Sequence, residues 1–534
     1  MSECTRRPQP SAPGPHLSEP LRGWDILSRA EARARWAGTP LRLSQLSDFD
    51  VPAARPARAG IGSRALRNTV LVLSAKVVAR LIALVTVLYM IQRLGDTHYG
   101  TFTVLVNLTA IVSVVLDLGF NVLFVREGAR RQSEIQRYLR NVMSVRLLMS
   151  VVAFGLLAAL VAPLGLGDLL LPGFVLMVLT SYSTLLRNAL YAVQQLGFEA
   201  IAVVLESLVL LGLVLYGGRS QAGVTYFVWA YAAQYAFSCV YFLIVLAVKR
   251  IALPGFRFEV LLLRQWFWKG LPFALTFVLT ILYFRIDSPL IFLFKGEQQA
   301  AWYGAAYKPI ESLLFIPITF LSVVFPVLSV YHHERPKEMV DAVSRFYKAL
   351  LLMGWPIAIG IFVLAHPLTL LLFRGSFLPS EAALRILALA LGIGFVNNAF
   401  IGALNASDRQ ASFTWAAGWS LLANLALNLA LIPLFGYQGA SWATVATELV
   451  LGIAGWTLVA RHVGRVPVPA LSWRVLLAGL IMGAAVYPLS GFGGFAVLIP
   501  IAAGVVVYAV AVLLLRAVTT DEITWARRAL SLAR

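Results

Sequence analysis

From Leu66 to about residue 515 the chain repeats one pattern, apolar stretches of roughly twenty residues separated by short polar turns. The pattern predicts spanning helices near 66–92, 98–124, 141–162, 169–193, 198–216, 223–248, 269–294, 301–330, 344–365, 380–404, 411–434, 439–460, 473–490 and 494–515. No water is available inside a bilayer to satisfy backbone groups, so helix is the expected form throughout. The segment 301–330 holds Pro309, Pro317 and Pro326 and is expected to bend. One stretch breaks the apolar rule. Ile281 to Glu311 reads as the end of one span, a turn and the start of the next, yet it carries Arg285, Asp287, Lys308 and Glu311. A charge at bilayer depth costs about 2.5–3.5 kcal/mol, so these side chains are expected to face a bundle interior or a water-filled cavity.

Composition agrees with the pattern. Of 534 residues 59% are hydrophobic and 13% charged, about half the charge of a soluble domain. The net charge of +19 raises the question of nucleic acid, anionic lipid or topology. Its placement answers it. Eighteen Lys and Arg fall in connections on the side of the N-terminus, in the groups Arg126–Arg140, Lys249–Lys269, Arg335–Lys348, Arg409 and Arg461–Arg474. Five fall opposite: Arg93, Arg219, Lys295, Arg374 and Arg385. The positive-inside rule then puts both termini in the cytoplasm and makes nucleic acid an unneeded partner. Residues 1–63, with eight prolines, nine arginines and six acids, read as a disordered basic cytoplasmic tail. Within it, Trp24–Trp36 could form a short basic surface helix. Cys4 and Cys239 make neither a disulfide framework nor a metal site.

An internal repeat organises the spans. Gly95 with Tyr99-Gly100 recurs as Gly296 with Tyr303-Gly304; Asn188-Ala189 recurs as Asn398-Ala399; Gly223-Val224-Thr225-Tyr226 recurs as Gly439-Ala440-Ser441-Trp442. The order implies two parallel six-helix bundles, 64–250 and 269–465, joined by a cytoplasmic linker 251–268. Two further helices and a short tail occupy 466–534. A site is expected between the two bundles.

Several motifs carry a family resemblance: LGDTHYGTF (94–102), LDLGFNVLFVREGAR (116–130), RNALYAVQQ (187–195), YFRIDSPLIF with WYGAAYKPIESL (283–313), and VVFPVLS (323–329). In these the chain resembles the polysaccharide or oligosaccharide flippases of the multidrug/oligosaccharidyl-lipid/polysaccharide exporter superfamily. The resemblance implies an all-α, two-lobed, V-shaped transporter. It would pass a polyprenyl-diphosphate-linked oligosaccharide from the cytoplasmic to the periplasmic leaflet for O-antigen, exopolysaccharide or capsule synthesis. Membrane lipids, a polysaccharide polymerase and glycosyltransferases would be its neighbours.

The residues suggest how. A diphosphate crossing hydrocarbon needs cations in place of its hydration. Lys76 and Arg80 share one face of span 1, and Arg285 and Lys308 lie in spans 7 and 8. Each cation could instead neutralise a carboxylate, Arg285 with Asp287 or Glu311, and Arg80 with Asp117 or Glu206. The span-interior carboxylates Asp117, Glu206, Asp287, Glu311 and Glu448 are candidates for ion coupling or charge pairing, with Asp287 and Glu311 favoured and Asp117 read as structural. No cofactor is expected; an H⁺ or Na⁺ gradient would drive an antiporter. Asn107, Asn188, Asn398, Tyr89 and Tyr283 could meet sugar hydroxyls, whereas Asn405, Asn424 and Asn428 read with them as helix-packing amides. Arg146 and Arg187, near span ends, are expected to snorkel to lipid phosphate or frame the inward entrance. No Walker sequence, long catalytic loop or metal-spaced histidine set argues for an enzyme; the longest outer connection is 366–379. A lipid II flippase and a cation-coupled drug exporter of the same superfamily stay open as alternatives, with a membrane glycosyltransferase or polymerase behind them.

Overall fold

A computed structural model describes residues 59–373 and 375–518. The tail residues up to 58, including Trp24–Trp36, and the residues beyond 518 lie outside the described part. The chain separates into two units, Met1–Ala65 and Leu66–Arg534, and the spans and their packing belong to the second.

The described residues form helices and turns without strands. In chain order the helices are α1 (Ala59–Val112), α2 (Val114–Asp117), α3 (Phe120–Arg130), α4 (Ile135–Val161), α5 (Leu170–Ala192), α6 (Leu196–Arg219), α7 (Val224–Val248) and α8 (Val260–Arg285). They continue as α9 (Asp287–Lys295), α10 (Glu297–Leu313), α11 (Phe315–Glu334), α12 (Pro336–Val363), α13 (Ala365–Leu372), α14 (Ser380–Ala406), α15 (Gln410–His462), α16 (Val468–Val486) and α17 (Leu498–Leu514). Among the described residues 12 helical stretches are long and apolar enough to cross a membrane. Two of these, of 46 and 53 residues, contain a non-helical glycine, Gly95 and Gly436. A straight helix of 46 residues would run about 70 Å, more than twice the hydrocarbon core. Each break therefore divides one stretch into two spans, matching the sequence segments 66–92 with 98–124 and 411–434 with 439–460.

The breaks show the repeat in backbone form. Gly95 (φ 74, ψ 177) and Gly296 (φ 83, ψ −178) adopt the same conformation, one open essentially to glycine alone. Each starts the second arm of a hairpin, and the two hairpins pack on each other. A Cβ on Gly100 would lie 2.0 Å from the carbonyl oxygen of Glu297, and one on Gly304 2.9 Å from Thr103. Thr101 Oγ1 donates to Glu297 (3.1 Å), and Gln92 donates to the Leu372 carbonyl (2.9 Å). The Tyr99 ring meets Phe377 edge-on. The largest buried cluster follows this contact: Met90, Tyr99 and Phe102 from the first half pack with Ala301, Tyr303 and Phe377 from the second.

Two boundaries differ from expectation, and one expected bend is present. The linker is shorter than 251–268, because α8 begins at Val260: Leu263, Trp266, Gly270 and Ala274 fall on one helical face and are buried. That face packs on the first half at the basic end, where a Cβ on Gly119 would lie 2.3 Å from the Gly270 carbonyl oxygen. The proline-rich segment bends as expected: it is interrupted at Leu314, three residues before Pro317, whose missing N–H leaves a helical carbonyl without its donor. The outer connection 366–379 is largely helical (α13), and through Leu372 it touches α1. Helices α16 and α17 pack on the second half: Trp355 donates to the Leu476 carbonyl (3.2 Å), Tyr347 pairs with Ser472 (2.9 Å), and Tyr508 donates to the Leu352 carbonyl (3.1 Å).

Candidate functional site

The break between α8 and α9 at Ile286 sends two neighbouring charges in different directions. Arg285, the last residue of α8, donates to Glu311 of α10 (2.9 Å) and to Asn107 of α1 (3.3 Å), joining the two sequence halves. Lys308, one turn before Glu311, donates to its other oxygen (3.0 Å). Arg80 lies over the Phe315 ring, its guanidinium carbon 5.8 Å from the ring centre. Arg285, Lys308 and Glu311 keep 27%, 29% and 27% of their side chains exposed, so the cluster is open to a ligand or water. Two cations pair with the one carboxylate and the charge of Arg80 acts on it at longer range, which leaves two positive charges uncompensated. Lys76 stands apart from this cluster and bridges to Glu199 of α6 (3.3 Å), which also accepts from Tyr191 (2.5 Å).

Asp287 opens α9 on the other side of the break and is buried among neutral donors. Tyr303 donates to it (2.6 Å), Asn428 donates (2.8 Å), and the Thr444 hydroxyl lies 3.3 Å away. One helical turn beyond Thr444, Glu448 accepts from Tyr283 (2.9 Å) and Asn397 (2.7 Å). Both acids line one small cavity with Tyr283, Tyr307, Asn424 and Thr444. Among the described residues no Lys, Arg or His forms an ion pair with either acid. The Asn428 and Asn397 carbonyl oxygens are buried without a donor. An all-oxygen set of carboxylate, amide and hydroxyl suits a hard cation or a proton; no group of three or more His, Cys, Asp or Glu suited to a transition metal occurs among the described residues.

The buried acids of the first half are paired internally. Arg146 is fully buried and does not snorkel: it donates to Asp117 (3.1 Å), Asn121 (2.8 Å) and the Ser181 hydroxyl (2.9 Å). The expectation failed because α4 begins at Ile135, six residues before the predicted start, so Arg146 lies well inside it. Arg187 does not reach lipid either; it donates to both oxygens of Glu206 (2.8 Å each), which also accepts from Ser238. Asp117 and Glu206 are thus taken, and Arg80 pairs with neither. Arg285 pairs with Glu311 and not with Asp287.

The other expected contacts are dispersed. Asn107 joins the cation cluster through Arg285, and Tyr283 joins the acid cavity through Glu448. Asn398 turns back on its own helix to the Gly394 carbonyl (2.8 Å). Tyr89 lies under Arg93, and Asn188 is half-buried on α5. Reading the sequence missed Glu199, Tyr191, Tyr303 and Thr444, and it took Asn424 and Asn428 for packing amides. A signal was present in the last case: Asn424 with Asn428, and Thr444 with Glu448, are i,i+4 pairs that stack polar groups on one helix face.

Helical spans repeated in two halves, with a cationic cluster between them, define a multi-pass membrane transporter of the multidrug/oligosaccharidyl-lipid/polysaccharide exporter superfamily. A family model described as polysaccharide biosynthesis protein matches residues 65–332, and the chain belongs to that family. A second model, lipid II flippase MurJ, matches residues 303–516. Among solved structures, lipid II flippase MurJ in an inward closed conformation superposes with TM-score 0.69 at 15% identity, covering 84% of this chain and 99% of that one. A multidrug resistance MATE family transporter in an inward-facing conformation gives 0.57 at 15% identity, with 77% and 98% covered. The MATE transporter DinF-BH in complex with R6G gives 0.54 at 16%, with 75% and 95% covered. At such identities these likenesses concern the fold alone. No curated protein sequence matches the chain.

Proposed function

We propose that the protein flips a polyprenyl-diphosphate-linked oligosaccharide from the cytoplasmic to the periplasmic leaflet of a bacterial inner membrane, for O-antigen, exopolysaccharide or capsule synthesis. The carrying observation is the uncompensated positive charge of Arg80, Arg285 and Lys308 around Glu311, tied to the other half by Asn107. A diphosphate leaving water needs charge-assisted donors, and guanidinium supplies them in paired geometry. The two halves rock about this cluster, and the lipid tail stays in the bilayer. The basic connections face the cytoplasm, next to the glycosyltransferases that make the substrate; a polymerase receives it on the far side. Coupling runs through Asp287 with Glu448, whose cavity takes a proton or a Na⁺ ion.

The match of residues 303–516 to the lipid II flippase MurJ model favours a second reading, in which the cargo is lipid II. Both cargoes share the polyprenyl diphosphate, so the cation cluster fits each. A flipping assay in vesicles holding the purified protein separates them. Flipping of a lipid-linked oligosaccharide that carries no peptide, lost in Arg285→Ala and in Arg80→Ala, supports the first reading. Flipping of lipid II alone supports the second. Activity unchanged in both variants removes the anion cluster from either.

A further inference from the structure

The first half holds a carboxylate that the transport reading does not use. Glu199 stands in the first turn of α6 and is 1% exposed. Its two oxygens are served unequally. Oε1 takes the Lys76 ammonium at 3.3 Å and the Tyr191 hydroxyl at 2.5 Å. Oε2 is buried and has no partner. Lys76 is the accessible member, since 36% of its side chain is exposed and it lies on the α1 face that also carries Arg80. It touches the Tyr191 hydroxyl at 3.4 Å as well, so the three groups form one small triangle of side chains.

Among the described residues Glu199 has no second ion pair; the charge of Arg187 acts on it at longer range. On α5, Arg187 is the next cation, and its terminal nitrogen is committed to both oxygens of Glu206. On its own helix the other acid is Glu206, which adds negative charge. On α7, Tyr241 donates to the Phe198 carbonyl (3.1 Å), and the Lys249 ammonium sits over the Phe198 ring, 5.0 Å from its centre. Arg80 lies one turn along α1, over Phe315. The helix N-terminus and the Tyr191 hydrogen bond both favour a charged carboxylate, yet neither replaces an ammonium in a buried setting.

We propose that Glu199 takes up one proton when the diphosphate binds. Lys76 turns from Glu199 to the phosphate oxygens. The carboxylate it leaves is buried and unpaired, and a proton from water fills Oε2; Tyr191 keeps its own proton and goes on donating to Oε1. Before binding, Lys76 and Glu199 sum to zero. Afterwards Lys76 offsets one phosphate charge and Glu199 is neutral, so the site has gained one proton with its ligand. Linkage then works in both directions: the ligand raises the proton affinity of Glu199, and acid strengthens ligand binding. This rests on the proposed diphosphate cargo and adds Lys76 to the cations that meet it; it places proton coupling in the first half as well as at the Asp287 cavity.

The test is calorimetric titration of the full-length protein in detergent with farnesyl diphosphate, between pH 7 and 8.5, in buffers of different ionisation heat. The wild-type protein is expected to take up close to one proton more per ligand than Glu199→Gln. The ligand's own ionisation is common to both and cancels in the difference. Wild-type affinity should rise with falling pH more steeply than that of Glu199→Gln, by at most about tenfold per pH unit, the limit for one proton. Tyr191→Phe, which keeps the carboxylate and removes its donor, should take up the proton at higher pH than wild type; this keeps the test open if Glu199→Gln does not fold. Equal proton uptake in wild type and Glu199→Gln, or a pH profile unmoved in Tyr191→Phe, overturns the proposal while leaving the anion site standing. No binding by the wild-type protein overturns both.

Discussion

The two sequence halves share a fold and treat their buried acids differently. In the first half each buried carboxylate has a cation: Asp117 has Arg146 at 3.1 Å, Glu206 has Arg187 at 2.8 Å and Glu199 has Lys76 at 3.3 Å. In the second half Asp287 and Glu448 have tyrosine, threonine and asparagine only. Glu311 is the exception that fits the rule, because its partners Arg285 and Lys308 are the cluster linked to the first half through Asn107. A buried carboxylate without a countercharge is neutralised by a proton or a bound cation. The first half therefore supplies partners for its own buried acids, while the second leaves Asp287 and Glu448 without a countercharge. On the proposed reading, the second half takes its positive charge at Asp287 and Glu448 directly, whereas the first half takes a proton only after Lys76 has left Glu199.

The largest expected effect comes from breaking the cluster between the halves. Arg285→Ala removes the donor to both Asn107 and Glu311 and leaves Glu311 neutralised by Lys308. Two charge-assisted hydrogen bonds at about 1.5–3 kcal/mol each predict a fall in flipping rate on the order of 100-fold or more. A rate within about threefold of wild type in vesicles would mean that the cargo does not use this cluster.

Next comes the contrast itself. Glu206→Gln strands Arg187 beside a neutral amide. Breaking a buried pair costs about 3–5 kcal/mol, and the 24% exposure of Arg187 brings the expected loss toward the lower end or below. Thermal unfolding in detergent should show a Tm several degrees lower. Asp287→Asn, by contrast, removes a charge that has no cationic partner; its Tm should stay within a degree or two, while transport loses its response to the H⁺ or Na⁺ gradient. Glu448→Gln should behave in the same way but more weakly, since the amide oxygen still accepts from Tyr283. Equal drops in Tm for Glu206→Gln and Asp287→Asn would erase the difference between the halves.

Much of the fold is legible in the sequence, and the failures have a physical pattern. Span positions followed from apolar length, and the Gly95 and Gly296 turns from a shared motif, because both are local properties of the chain. The partners of charges were not local. Arg146 and Arg187 looked like snorkelling residues because depth was counted from the ends of apolar runs; α4 in fact begins six residues before its apolar run, and α5 lays Arg187 against α6. Glu199 sits in QQLGFEA, which reads as a turn, and only the packing of α1 on α6 shows that Lys76 is its partner. The acid cavity failed for another reason. Neutral donors such as Tyr303 and Thr444 carry no charge signal, so a site built from them is silent until the helices are assembled.

The smallest effect is expected where the second half is tied to the first at the basic end. Glu259, just before α8, accepts from Arg137 of α4 through Nε at 2.9 Å, and its backbone N–H donates to Asn141 (2.7 Å). The Arg257 N–H donates to the Ser144 hydroxyl (2.9 Å). The Arg137 hydrogen bonds hold the Glu259 carboxyl below the usual glutamate range; Asn141 and the charge of Arg257 help, against a smaller desolvation effect. A depressed carboxyl contributes stability that is complete above the ordinary glutamate value and is lost as pH falls through the folded value. The pair is exposed, so its contribution is modest and screened by salt. At neutral pH, Glu259→Gln should raise amide exchange at residues 257 and 259 a few-fold, relative to the intrinsic rates. Wild type should approach that level only when pH drops below the ordinary glutamate range. Equal protection in the two proteins at pH 7 would show that Asn141 and Ser144 hold the linker without Glu259, and that the join between the halves is made by backbone contacts such as Gly119 on Gly270 rather than by charge.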